Sequence, residues 1–81
     1  MKVRRTRLFE RNYSKAPRKV QRAFDKQLLL MLQNPRHPPL RTKKYDEGLD
    51  HWQARVTLDW RFYFQIEDDT YILMDITPHP K

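Results

Sequence analysis

The chain has 81 residues, which suffice for one small domain with a single hydrophobic core and leave little sequence for a second module. It contains no cysteine, which excludes a disulfide framework and a thiolate metal site and fits a reducing cytosol. The formal net charge of +7 is uneven, because residues 1–44 carry +12 and residues 45–81 carry −5. A half this basic favours a polyanionic partner such as nucleic acid; the alternative is a solvated helix face that serves only solubility.

No targeting or membrane segment is evident in the sequence. The N-terminal stretch "MKVRRTRLF" lacks the apolar region of a signal peptide. The longest apolar run, residues 28–32, is far too short to span a bilayer. We therefore predict a cytoplasmic protein that has no membrane partner.

A short strand and two helices are predicted in the first part of the chain. Residues 2–8 alternate poorly and indicate an edge strand, and residues 9–14 indicate a short turn of helix. Pro17 suits the first position of a longer helix, which ends at Asn34-Pro35 because proline disfavours a helical conformation in the residue before it. The apolar stripe of this helix recurs at helical spacing and comprises Val20, Phe24, Leu28 and Met31.

The rest of the chain predicts an antiparallel sheet. Residues 36–50 are interpreted as a connecting segment, because a proline pair and the only glycine exclude regular structure. Strands are predicted at about 52–57, 60–67 and 70–76, with a tight turn at 68–69. We expect one α+β domain spanning residues 1–81, a small antiparallel-rich four-stranded sheet with the N-terminal helices packed on one face.

Alternation along these strands separates two faces of the sheet. The apolar face, which the helices must cover, comprises Trp52, Ala54, Val56, Trp60, Phe62, Phe64 and Ile66. The opposite, open face comprises Gln53, Arg55, Thr57, Arg61, Tyr63 and Gln65.

The open face carries residue types that could cut RNA. Guanidinium groups such as those of Arg55 and Arg61 bind phosphate and stabilise charge that develops on a phosphoryl oxygen. Histidine titrates near neutral pH, so His79 could give a proton to a leaving oxygen. Tyr63 offers a ring on which a base could stack. These are the parts needed for attack of a 2′-hydroxyl of RNA on the adjacent phosphate.

The same residues also have a purely structural explanation. Arginines on a solvent-facing strand are often solvated or paired with a carboxylate such as Asp75 or Glu67. A terminal "PHPK" is often an unstructured tail. The sequence shows no glycine-rich phosphate loop and no clustered metal ligands, so we predict neither a cofactor nor a metal ion.

The order of the elements resembles the RelE/ParE superfamily of bacterial toxin–antitoxin toxins. The resemblance covers nearly the whole chain, including "NPRHPPLRTKKYDEGLDHWQARVTLDWRFYFQIEDDTYILMDI" after the two helices. Its most specific parts are the Asn34-Pro35 helix end followed by Leu40 and Lys43-Lys44, and the strands "WQARV" and "WRFYF". The resemblance implies a toxin that, in the RelE branch, enters the ribosomal A site and cleaves mRNA. It also implies a cognate antitoxin that masks this basic protein in a hetero-oligomer.

The resemblance further implies roles for individual residues. Arg61 matches the most recurrent arginine of the family, at the start of the third predicted strand, and Arg55 falls in the second predicted strand, where mRNA-cleaving members often place a basic residue. His79 and Lys81 follow the last strand, where members carry residues for acid catalysis or phosphate contact, and Glu47 lies where some members place a carboxylate base. The implied catalytic set is Arg61, Arg55, His79 and Glu47, and the implied RNA-binding set is Lys43, Lys44, Arg41, Tyr63 and Lys81.

Two departures from the family pattern keep other functions open. Many active members have two lysines where this chain has Gln53 and Arg55, and the family's tail beyond the last strand is short or missing here. A ParE-like toxin that poisons DNA gyrase shares the fold without the RNA-cutting residues. A non-catalytic RNA-binding homologue would keep only the basic surface. We expect a metal-independent, ribosome-dependent mRNA endoribonuclease that inhibits translation, with these two functions as alternatives.

Overall fold

The computed structural model describes residues 2–33, 43–46 and 51–78, with the backbone alone described for 43–46. Its five strands form one sheet in the order β1-β5-β4-β3-β2, and both helices pack on one face of it. The elements in chain order are β1 (Lys2–Arg5), α1 (Arg7–Lys15), α2 (Arg18–Gln33), β2 (Lys43–Asp46), β3 (His51–Thr57), β4 (Trp60–Glu67) and β5 (Thr70–Pro78). The predicted α+β class is confirmed, with one strand more than the four expected.

The sequence predicted one edge strand of the sheet and missed the other. Strand β1 is an edge strand, as predicted, and runs parallel to β5. The other edge, β2, corrects the prediction that residues 36–50 only connect helix and sheet, because residues 43–46 pair antiparallel with β3. The segment Lys-Lys-Tyr-Asp has no apolar alternation, so its residue pattern did not predict a strand. Lysines on an edge strand discourage further pairing with other chains.

The helix α2 packs through the stripe that its spacing predicts. Val20, Phe24, Leu28 and Met31 are all buried, and Phe24 has no exposed surface. The Phe24 ring centroid lies 5.1 Å from that of Phe9 on α1 and 5.0 Å from that of Phe62 on β4, the latter edge to face. Phe24 therefore joins both helices to the centre of the sheet.

The face of the sheet beneath the helices is the predicted one. Ala54, Phe62 and Phe64 are buried, and the rings of Phe62 and Phe64 stack with centroids 5.4 Å apart. Trp52, Val56 and Trp60 are partly buried against this core. Ile66 is the exception on the predicted list, since it lies near the end of β4 with 38% of its surface exposed.

Thr6 fixes the junction between β1, α1 and β5. Its Oγ1 accepts a hydrogen bond from the Phe9 backbone N–H at 3.2 Å, which caps α1, and lies 2.9 Å from Leu73 O and 3.1 Å from Met74 O, to which it donates. The Thr6 backbone N–H also donates to Leu73 O at 3.1 Å. The helix that follows has nine residues rather than the short turn expected, and it buries Phe9 in the core.

Contacts of Arg5 and Tyr13 connect β1 to both helices. The guanidinium carbon of Arg5 lies 5.6 Å from the ring centroid of Phe9 and 5.5 Å from that of Tyr13. The Tyr13 hydroxyl donates to the Asp25 carboxylate on α2, with oxygen–oxygen distances of 2.7 and 2.9 Å. Burial and, next, this hydrogen bond to Asp25 raise the pKa of Tyr13 above its ordinary value.

Phe24→Asp is expected to destabilise the fold by more than the ~3–5 kcal/mol that truncation of a buried phenylalanine costs. The carboxylate would stand without a partner between Phe9 and Phe62. Urea unfolding followed by circular dichroism measures the loss, with Lys26→Asp on the exposed side of α2 as the control. A wild-type midpoint for Phe24→Asp would show that α2 does not pack through this face.

Thr6→Val is expected to lower the free energy of unfolding by about 1–2 kcal/mol, because it removes the cap of α1 and leaves two carbonyls of β5 without their shared donor. Thr6→Ser keeps the hydroxyl and should retain most of the stability. Chemical unfolding of the two variants side by side makes the comparison. A loss in Thr6→Ser that exceeds the loss in Thr6→Val would assign the effect to the γ-methyl group instead of the hydroxyl.

Candidate functional site

The open face brings together the three predicted site residues whose side chains the structure describes. In the antiparallel pairing of β3 with β4, Arg55 lies directly opposite Arg61, and Gln53 lies opposite Tyr63. On the other side of β4, Arg61 is opposite Thr77 of β5. The side chains of Arg55, Arg61 and Tyr63 are all half-buried, so each keeps part of its surface accessible to a ligand.

The arginine pair, Arg55 and Arg61, is a like-charge pair at directly opposite positions. The Cβ atoms of such a cross-strand pair are about 4.5–5.5 Å apart, and like charges there destabilise a sheet. The register shifts between Arg55 and Thr57, and the hairpin turns at Leu58-Asp59 just beyond it. The backbone of a tight hairpin therefore holds the two arginines in direct cross-strand register.

Arg55 has a hydrogen-bonding deficit. Its Nε atom is buried and donates to no acceptor within the part of the chain that the structure describes. A buried donor without a partner costs about 1–3 kcal/mol. Arg61 and Tyr63 each take part in an interaction of their own. An anionic oxygen on this face would give the Arg55 Nε an acceptor.

Two of the predicted RNA-binding residues lie in the edge strand β2 and not in a loop. The backbone of Lys43 is in register with Gln53, which places it in the same row of the sheet as Tyr63. Lys44 is in register with Trp52, in the row of Phe64. The prediction that these lysines lie in a connecting segment is therefore wrong, because they extend the sheet next to β3.

Four predicted site residues lie outside the described residues. They are Arg41 and Glu47, on either side of β2, and His79 and Lys81, after β5. Their assigned roles stay predictions.

Sequence reasoning missed the irregularity of β5. The register with β4 shifts between Tyr63 and Phe64, so Asp75 lies opposite Tyr63 while Leu73 lies opposite Phe64. Asp75 Oδ1 accepts from Asn12 Nδ2 at 2.6 Å and from the Ile76 backbone N–H at 2.8 Å. The bulge shows in the structure because Leu73 and Ile76 are both buried although they lie three positions apart, a spacing that puts residues of a regular strand on opposite faces.

The electrostatic character of the open face changes along the strands. At the hairpin end lies the arginine pair, whereas the opposite end carries Glu67 and Asp68 beside Arg4 in a cleft of about 220 Å³. Ile72 also lines this cleft and is only 5% exposed, although the alternation assigned this face to polar residues. An anion is therefore favoured at the hairpin end of the face and disfavoured at the other.

Two other kinds of site are absent from the described ranges. Within residues 2–33, 43–46 and 51–78, no group of three His, Cys, Asp or Glu residues is placed to hold a metal ion. In that same part of the chain, no helix is long and apolar enough to cross a membrane. The chemistry that the described open face supports is the binding of a phosphate or a similar oxyanion by paired guanidinium groups.

Inorganic phosphate that binds the arginine pair should raise the free energy of unfolding with the logarithm of its concentration, by about 2.7 kcal/mol at a hundred times Kd. Arg55→Gln should lose most of this response and melt higher than wild type without phosphate, because the like-charge repulsion is gone. Thermal unfolding at matched ionic strength, with chloride replacing phosphate, measures both effects. Arg22→Gln, on the exposed side of α2, is the control, and an undiminished phosphate response in Arg55→Gln would contradict the site.

Comparison with known proteins yields matches in structure alone. No family sequence model matches the chain, and no curated protein matches it. A YoeB/ParE toxin from Agrobacterium tumefaciens superposes with a TM-score of 0.79 over 99% of this chain and 100% of that chain, at 12% identity. A chain of the toxin–antitoxin complex RelBE2 from Mycobacterium tuberculosis superposes with a TM-score of 0.74 over 96% of each chain, at 20% identity. A chain of the RelB–RelE antitoxin–toxin complex from Methanococcus jannaschii superposes with a TM-score of 0.77 over 94% of this chain and 89% of that chain, at 15% identity.

These superpositions cover nearly all of each chain, so they concern the whole fold and not a shared fragment. The resemblance to the RelE/ParE superfamily that the sequence suggested is thereby confirmed at the level of the fold. The chain has the fold of the RelE, YoeB and ParE toxins of toxin–antitoxin systems.

Proposed function

We propose that the protein is the toxin of a toxin–antitoxin module and that it cleaves mRNA on the ribosome. The observation that carries this proposal is the arginine pair, with Arg55 opposite Arg61 and the Arg55 Nε lacking an acceptor among the residues that the structure describes. Two arginines in register on the face that the helices do not cover fit a site built to receive a phosphate. The sequence resemblance to the RelE branch supplies the reaction.

The proposed reaction needs no cofactor. The 2′-hydroxyl oxygen attacks the adjacent phosphorus, the bond from phosphorus to the 5′ oxygen breaks, and a 2′,3′-cyclic phosphate forms. Arg61 stabilises the negative charge that develops on the phosphoryl oxygens, and Arg55 positions the phosphate. His79 gives a proton to the leaving 5′ oxygen, and Glu47 takes the proton of the 2′-hydroxyl. Alignment of the RNA on the ribosome contributes the rest of the rate.

The remaining predicted residues have binding roles in this proposal. Tyr63, two residues after Arg61 on the same face, stacks on a base next to the scissile phosphate. Cationic contacts to the RNA backbone come from lysines and arginines whose side chains lie outside the described part of the structure: Arg41, Lys43, Lys44 and Lys81. Such contacts make the affinity for RNA strongly dependent on salt.

The proposed partner is a cognate antitoxin with which the toxin forms a hetero-oligomer. Two of the matched structures are complexes of a toxin with its antitoxin. The charge of +12 in residues 1–44 suits an acidic segment that folds on binding. The proposed place of action is the cytoplasm, where translating ribosomes and mRNA are found.

Arg61→Ala is expected to lower the rate of RNA cleavage about 10²–10³-fold, as loss of a transition-state donor does, and to abolish growth inhibition. Arg61→Lys keeps the charge but loses the bidentate geometry and should recover only part of the activity. Growth after induction, at matched levels of soluble protein, measures the effect. Arg22→Ala is the control for removal of an exposed arginine, and undiminished toxicity of Arg61→Ala would refute the catalytic assignment.

Mapping of RNA 5′ ends after a short induction separates the functions that share this fold. An mRNA endoribonuclease produces fragments whose ends fall at defined codon positions and disappear in Arg61→Ala. A gyrase inhibitor produces DNA damage and the SOS response with intact mRNA. An RNA-binding homologue without activity produces neither, and either of these outcomes would replace the proposal.

A further inference from the structure

Two adjoining clefts flank Trp60 on the helix side of the sheet. The larger, of about 440 Å³, lies between the start of α2, with Pro17 and Val20, and the β3–β4 turn, with Leu58. The smaller, of about 230 Å³, lies between α1 and the end of β5, and Trp60 lines both. Because Trp60 packs against the helix-covered core, this Trp60 cleft and the arginine pair lie on opposite faces of the sheet.

The Trp60 cleft presents apolar surface that the fold does not use. Leu58 stands at the tip of the β3–β4 hairpin with 79% of its surface exposed. Trp60 is only half-buried, although its face is the one that the helices cover. A leucine and a tryptophan in a concave surface, next to Val20, form the kind of pocket that accepts a large apolar side chain.

The charges around the Trp60 cleft have one predominant sign. Lys19 lines the larger cleft and Lys15 the smaller one, while Asp59 is the only acidic residue among the described residues that line either. The first turn of α2 contains no acidic residue, and Pro17 before it has no side-chain acceptor that could cap the helix. The positive end of the α2 dipole therefore adds to the two lysines. The complementary ligand is an apolar segment that carries carboxylates.

We propose that the Trp60 cleft is the anchoring site for an acidic, amphipathic segment of the antitoxin. This inference rests on the proposed function, which supplies the partner. One large apolar side chain of the segment sits between Leu58 and Trp60, and its carboxylates face Lys15, Lys19 and the start of α2. Charge complementarity and the exposed apolar pocket select this occupant over a nucleic acid, which has no large apolar side chain to place against Leu58.

The position of the cleft also explains how one partner could reach both faces. The pair Thr57–Trp60 is the register pair next to the arginine pair, so cleft and arginines lie at the same end of the sheet. A segment that leaves the cleft over Leu58 at the hairpin tip arrives at Arg55 and Arg61. In this proposal, the part of the antitoxin that sits in the Trp60 cleft does not cover Arg55 and Arg61. A second part of the antitoxin, beyond Leu58, covers the two arginines.

Selection of random dodecapeptides displayed on phage tests the inference without knowledge of the antitoxin. The target is the full chain carrying Arg55→Gln and Arg61→Gln, which removes the competing anion site on the other face. The enriched peptides are expected to be acidic and to contain one or two large apolar residues. Enrichment of basic or uncharged peptides would overturn the proposal.

The enriched peptides are then titrated against the Trp52→Phe variant, in which Trp60 is the only tryptophan. Binding should change the Trp60 emission, and it should weaken about tenfold or more in Leu58→Asp and in Lys19→Glu. The matched controls on the outer side of α2, Leu30→Asp and Lys26→Glu, should bind within about twofold of the parent. Unchanged emission, or equal binding by Leu58→Asp, would refute the site.

The toxicity of Leu58→Asp keeps this proposal apart from the proposed function. This variant leaves the arginine pair intact, so it should remain as toxic as the wild-type chain while losing the peptides. If the peptides bind at Trp60 but Arg61→Ala proves fully toxic, the docking site stands and the catalytic assignment fails. Peptides that bind equally well to Leu58→Asp would refute the docking site and leave the RNA-cleavage proposal unaffected.

Discussion

The contact between Phe24 of α2 and Phe62 of β4, 5.0 Å between ring centroids, closes the layer of helices over the sheet. Phe9 of α1 packs against Phe24 in the same cluster, so α1 is joined to β4 through α2 by aromatic rings without exposed surface. The strand period of two then assigns the next residues of β4, Arg61 and Tyr63, to the other face. Because Phe62 and Phe64 of β4 face the helices, the residues that alternate with them on β4 are the ones available to a ligand.

The open face departs from what the stability of a sheet alone would favour. Two arginines stand directly opposite each other, and one of them keeps a buried donor without a partner in the described structure. Each feature costs free energy, which the aromatic core on the other face offsets. Local rules of this kind are broken most often at functional sites, where a ligand supplies the missing interaction. This is the physical basis on which the arginine pair is proposed to bind a phosphate.

The β3–β4 hairpin connects the two proposed surfaces. The arginine pair lies on one side of it and the Trp60 cleft on the other, with Leu58 at the tip between them. Basic side chains lie at both surfaces, so each favours a negatively charged ligand, and the two ligands would meet at the same end of the sheet. The far end of the open face carries the acidic residues Glu67 and Asp68 and does not favour such a ligand.

The sequence by itself determined the fold class, the stripe of α2, the three C-terminal strands and the face to which Arg55, Arg61 and Tyr63 belong. These follow from periodicity, since burial on one side forces apolar residues into periods of 3.6 or 2. It did not reveal β2, because Lys43 and Lys44 pair through the backbone, and a backbone hydrogen bond leaves no pattern in side chains. Only the tertiary structure placed Arg55 opposite Arg61, bent β5 at Met74 and opened the cleft beside Trp60. Strand register, bulges and clefts depend on contacts between segments that are distant in the sequence, and the local pattern of residue types does not predict those contacts.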